Sequence, residues 1–166
     1  MNAKSLGQVF LHELETETTS TRKCLERIPE SLFDYKPHER SMNMGYLALI
    51  VAAIPDWITH TIKDSEIDFA TYKTFQPKTT AELVKYFEDN LIGAKEALQN
   101  VTDDELAELF YLKNNGVTLT SSSKDDSIES LINHLVHHRG QLTVYMRLNN
   151  ILVPSIYGPS ADEKGF

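Results

Sequence analysis

Three of the six histidines in this 166-residue chain fall within Asn133-His134-Leu135-Val136-His137-His138-Arg139-Gly140-Gln141. On a helix, positions four apart are offset by about 40° and stand one turn above each other. His134 and His138 therefore share a face, while His137 points elsewhere. Two imidazoles at this spacing can offer ring nitrogens to a single divalent cation. The same spacing also builds a hydrogen-bonded polar patch, because two ligands alone do not complete a zinc site. The stripe is led in by Ile128 and Leu131 and continues to Gln141 and Tyr145. Any third ligand must come from another part of the chain.

The elements that must carry this stripe follow from apolar spacing. Lys124 to Asn150 reads as the last helix, entered through Asp125 and Asp126 at the positive end of its dipole. Ala3 to Ile28 reads as the first, with Leu6, Phe10, Leu14, Cys24, Leu25 and Ile28 at helical intervals before Pro29 ends it. Glu17 lies close to that stripe and reads as a solvated flank. Met44 to Lys63 is apolar nearly all round at its start, the pattern of a central or interface helix, and Pro55 is expected to bend it. Thr79-Thr80-Ala81-Glu82 is a capping-box pattern for a third helix, and Thr102 to Glu105 reads as one short helical turn.

Asn115-Gly116, set between Phe110-Tyr111-Leu112 and Val117-Thr118-Leu119, signals a small hairpin or extended loop before the last helix. The link 65–79 is expected to cross the helices. His38 follows Pro37 in the first connector, where it is expected to tie the loop down. Ile151 to Pro159 carries large apolar side chains that should pack on the body, leaving only Ser160 to Phe166 to fray. The expectation is one all-α domain over residues 1–166, a four-helix bundle with crossover connections. Sites in such bundles are built from inward-facing side chains on different helices.

The net charge of −8 argues against a broad nucleic-acid surface, which needs clustered Lys and Arg. The single cysteine, Cys24, excludes an intramolecular disulfide and reads as a small core filler. The longest apolar run, Tyr46 to Pro55, is about half the ~20 residues a membrane span requires. A cytoplasmic protein, bound to neither membrane nor nucleic acid, is expected.

Lys36-Pro37-His38-Glu39-Arg40-Ser41-Met42, the Gly45-x-Leu47-Ala48 start of the second helix, His134-x-x-x-His138-Arg139-Gly140-Gln141 and the tail Val153-Pro154-Ser155-Ile156-Tyr157-Gly158 together resemble the DinB family. The resemblance implies an up-down-down-up four-helix bundle, a homodimer, and a divalent metal (nickel, zinc or iron) held by three histidines. One of these comes from the second helix and two from the last. It also implies a metal-dependent hydrolase or a thiol-dependent transferase. Two of the ligands map onto His134 and His138. The third falls on Ile50, which has no lone pair to donate.

The expected chain is therefore a DinB-like protein with a degenerate metal site and weak or absent metal binding. Ile50, Gln141 and Tyr145 would line a pocket for a small-molecule ligand. The alternative is an enzyme that holds a cation at His134 and His138 with a further ligand not identified. Arg139 would form a salt bridge to Glu13 or Glu129, or orient substrate.

Overall fold

Capping chemistry marks the helix starts in the computed structural model, which describes residues 4–165. Ser5 Oγ accepts from Gln8 N while Gln8 Oε1 accepts from Ser5 N, a reciprocal box that opens α1 (Leu6–Glu26). Asn43 caps α2 (Met44–Lys63), Thr79 caps α3 (Thr80–Asn100), Thr102 caps the one-turn α4 (Asp103–Leu106) and Ser123 caps α5 (Lys124–Leu148). The box expected at Thr79 is half formed, since Glu82 Oε2 accepts from Lys78 N, one residue before the cap. The expected helix start at Ala3 lies outside the described residues. Asn150, at a left-handed φ of 57°, lies beyond the end of α5.

Four long helices share one core. α1 runs antiparallel to α3: Leu6 N donates to Asp103 Oδ1 at one end and Thr80 Oγ1 to the Ile28 carbonyl at the other. α2 runs antiparallel to α5, with Lys124 Nζ on the Ile62 carbonyl and the Tyr145 hydroxyl on the Met42 carbonyl. α2 and α3 point the same way, as Asn90 Nδ2 reaches the Ala52 carbonyl while Gly93 packs on Thr59. α1 approaches α3 closely at Gly7, where a Cβ would stand 2.5 Å from the Leu98 carbonyl oxygen. Only glycine lets α1 and α3 come this near.

α2 packs against both α3 and α5, which is why it is apolar most of the way round. It is the one helix among the described residues long and apolar enough to cross a membrane, and more than half of that window is buried in this core. Cys24 is buried there too, and its burial pushes the thiol up to about 11.

The chain is not purely helical. β1 (Glu66–Asp68), β2 (Leu109–Asn114) and β3 (Val117–Ser123) form one sheet in that order, β1 parallel to β2 and β2 antiparallel to β3. The hairpin turns at Asn115-Gly116 with φ of 51° and 75°, the left-handed pair that a two-residue loop requires. The link 65–79, expected only to cross the helices, supplies β1. Asp68 fastens it by accepting from Asn115 N (3.0 Å) and Gly116 N (2.7 Å). A three-residue strand has too little length for a readable period.

The tail also departs from expectation. Leu152 stays exposed, while Ile151, Val153 and Ile156 pack on the core. Residues 160–163 do not fray. Asp162 pairs with Arg147 and accepts from Val153 N; Glu163 pairs with Arg27 and accepts from Ser155 N. Phe166 lies outside the described residues.

Candidate functional site

α5 brings His134 and His138 face to face, with their Nε2 atoms 2.6 Å apart. His138 Nδ1 lies 2.8 Å from Gln141 Oε1. An amide oxygen can only accept, so His138 Nδ1 carries the hydrogen and its Nε2 keeps the lone pair. His134 Nε2–H then donates to it, which leaves His134 Nδ1 as an acceptor with no protein partner among the described residues. Burial, reinforced by the like charges of His138 and His137, holds the His134 pKa below the ordinary histidine value. The neutral ring is the form this chain of bonds needs.

Three contacts of α5 with α2 and with the residues just before α2 fix the register of the two helices. Lys124 meets Ile62, the His134 ring lies tilted beside Trp57 (ring centroids 6.0 Å) and Tyr145 meets Met42. Ile50 lies two turns from Trp57 on the same face, midway toward Met42, and so stands level with His138 and Gln141. It is half-buried against the core. The side chain across from the imidazole pair is therefore aliphatic.

These residues do not fit a tetrahedral cation. Two nitrogens bound at 2.0–2.1 Å to one zinc would stand about 3.3 Å apart with their lone pairs converging. Here they sit at hydrogen-bond separation, and Ile50 brings no donor to their level. Among the described residues, no group of three His, Cys, Asp or Glu side chains is placed to hold a metal. His12 is exposed on α1, His38 Nδ1 accepts from Arg40 N and holds its loop, and His60 pairs with Asp56 and Asp64.

Arg139 is turned away from this pair. Expected to meet Glu13 or Glu129, it instead crosses to the buried face of α1. There its guanidinium contacts Glu17 Oε2 (2.5 Å), the Glu17 carbonyl, Ser20 Oγ and Thr21 Oγ1. Glu17, expected as a solvated flank, is only 7% exposed. The Tyr157 hydroxyl donates to Glu17 Oε2 and accepts from Arg139 Nη2, so α1, α5 and the tail meet at one buried ion pair. The Tyr145 hydroxyl is occupied by the Met42 carbonyl, and its ring meets Tyr35 edge-on.

A cleft of about 380 Å³ opens beside His134, between α2, the start of α5 and the sheet. Trp57 forms its wall: Trp57 Nε1 donates to the Tyr72 hydroxyl (3.0 Å), which donates to Asp56 Oδ2 (2.6 Å). Burial, together with Asp56, raises the Tyr72 phenol well above its usual range, so it stays protonated as that donation requires. Neither Ile50 nor Gln141 nor Tyr145 lines this cleft; of the residues expected around a pocket, His134 alone does. Trp57, Phe69, Phe110 and the serines around β3 were not legible as site residues. Only the single tryptophan and the Ser121-Ser122-Ser123 run offered a signal.

The profile of the DinB family matches residues 1–164. The chain belongs to the DinB family. A DinB-like protein of Bacillus cereus has a solved structure that superposes with a TM-score of 0.69 at 26% identity, over 90% of this chain and 97% of that one. The DinB-like protein YjoA of Bacillus subtilis superposes with a TM-score of 0.68 at 18% identity, over 88% of this chain and 95% of its own; at that identity the likeness speaks for the fold alone. The uncharacterised protein YrdA of Bacillus subtilis is 27% identical over 157 residues, 93% of this chain and 89% of that protein. The DinB scaffold is thus shared over nearly the whole chain.

Proposed function

We propose that this DinB-family chain is a small-molecule-binding bundle whose metal site is degenerate. The single observation that carries the reading is the closed chain His134–His138–Gln141 with Ile50 level with it. The two Nε2 atoms that would have to turn to one cation are already used by each other, and His138 Nδ1 by Gln141. A family metal, when bound, would lower the pKa of a water or thiol and polarise a substrate. Without a third ligand that chemistry is not supplied here. The homodimer belongs to the same reading. The alternative, a metal-dependent hydrolase or thiol-dependent transferase, draws support from the convergence of two Nε2 atoms on one point.

Elemental analysis of protein purified without a histidine tag separates the two. The degenerate-site reading gives trace nickel, zinc and iron, whereas near-stoichiometric metal favours the enzyme. Ile50→His is expected to restore metal affinity that the parent lacks, read by calorimetric titration with zinc. A substituted protein that folds and still ignores zinc would mean that the α2 position does not face the pair.

A further inference from the structure

We infer that the cleft beside His134 binds an uncharged aromatic molecule that brings its own hydrogen-bond donor. This rests on the metal-free reading of the histidine pair. With metal on both Nε2 atoms, His134 Nδ1 would carry a hydrogen and the cleft would present a donor in its place.

Charge sets the first limit on the ligand. Among the described residues no Lys, Arg, Asp or Glu side chain lines the cleft, although the chain carries 40 formal charges. A carboxylate, phosphate or ammonium ligand would lose its hydration with no counter-ion to meet it. Shape sets the second. Trp57, Ile67, Phe69, Phe110, Leu112 and Leu131 give apolar walls. A dry cavity of about 150 Å³ takes one benzene ring, so about 380 Å³ has room for two fused or linked rings.

Proton accounting sets the third limit. Trp57 Nε1–H is spent on Tyr72, which fixes the indole in the cleft wall and leaves it no donor for a ligand. Thr61 Oγ1 donates to the Trp57 carbonyl (2.8 Å), and Ser127 Oγ donates to the Ser123 carbonyl (2.8 Å). Because the Ser127 hydrogen is used, the Ser122 hydroxyl must be the donor in the 2.7 Å contact between the two. These three hydroxyls and His134 Nδ1 are therefore left with lone pairs only. The fixed polar atoms of the wall accept, and the Thr120, Ser121 and Ser130 hydroxyls, with no fixed partner among the described residues, can turn to accept as well. The wall therefore suits a ligand that donates, as a phenol or an aromatic N–H does.

The test uses 2-naphthol, 2-methoxynaphthalene and 2-naphthoate as probes on the intact protein near neutral pH. Binding is read by calorimetry and by the cross-peak of the single indole N–H. The expected result is saturable binding of 2-naphthol that shifts the Trp57 peak, with the methoxy compound and the carboxylate each at least ten-fold weaker. His134→Leu, checked for native circular dichroism, should narrow the difference between naphthol and its methyl ether. Equal binding of the naphthol and its ether, tighter binding of the carboxylate, or an unmoved indole peak would each overturn the inference. Metal content of the same sample keeps the two ideas apart. Stoichiometric metal overturns the metal-free reading, while metal-free protein that ignores 2-naphthol overturns the ligand class alone.

Discussion

Arg139 heads the fully buried side chains by volume, and it reaches that depth because every donor direction used meets an acceptor on α1 or the tail. Removing one member of such a pair leaves the other charge stranded. Arg139→Met should therefore cost about 3–5 kcal/mol, read as a fall in the urea midpoint. Combining it with Glu17→Gln should recover much of that loss, since no uncompensated carboxylate remains. A double substitution as unstable as the single one would show that the packing of the arginine stem matters more than the charge. The histidine pair obeys the same logic at lower stakes: neutral rings sharing one hydrogen need no counter-ion, and burial keeps His134 in that form.

At the scale of the element, the sheet is organised by a single carboxylate. Asp68 accepts from Ala70 N as well as from the two amides of the hairpin turn, and these bonds hold its pKa below the usual carboxylate range. The ionised form is the one that fastens β1 to the turn. Asp68→Ala should leave the helical core intact while amide exchange at Asn115 and Gly116 quickens, by roughly ten-fold for a local opening. Unchanged exchange there would show that strand pairing alone positions the hairpin. Because Ile67, Phe69 and Phe110 are walls of the cleft, loosening β1 should also weaken any ligand held there.

At the scale of the molecule, α5 carries a second face that the core does not use. Gly140, Val144 and Leu148 recur at four-residue spacing, and Val144 and Leu148 are each 57% exposed, with Leu152 beside them at 62%. A Cβ at Gly140 would meet nothing within 4 Å, so a facing helix could approach closely. A face that repeats along one helix suits an isologous contact with a second copy. Light scattering of the eluting protein should give twice the 18.9 kDa chain mass, and Leu148→Glu should return it to one chain. A dimer that survives this change would place the contact elsewhere.

Sequence by itself determined the helices, the hairpin turn and the imidazole pair, because each rests on local rules. Apolar spacing, the cap at Thr79, the left-handed demand of Asn115-Gly116 and the one-turn offset of His134 and His138 all act over a few residues. The resemblance to the DinB family, not any spacing rule, marks Ile50 as the residue standing where a third ligand is expected. Tertiary structure alone decided which charges were buried and where the cleft lay. Glu17 is polar in any local window, and only the arrival of Arg139 and Tyr157 from more than a hundred residues away lets it leave water. The cleft likewise needs Trp57, the short strand β1 and the serines after the hairpin to meet. That meeting is set by long-range packing, which no spacing within one segment encodes.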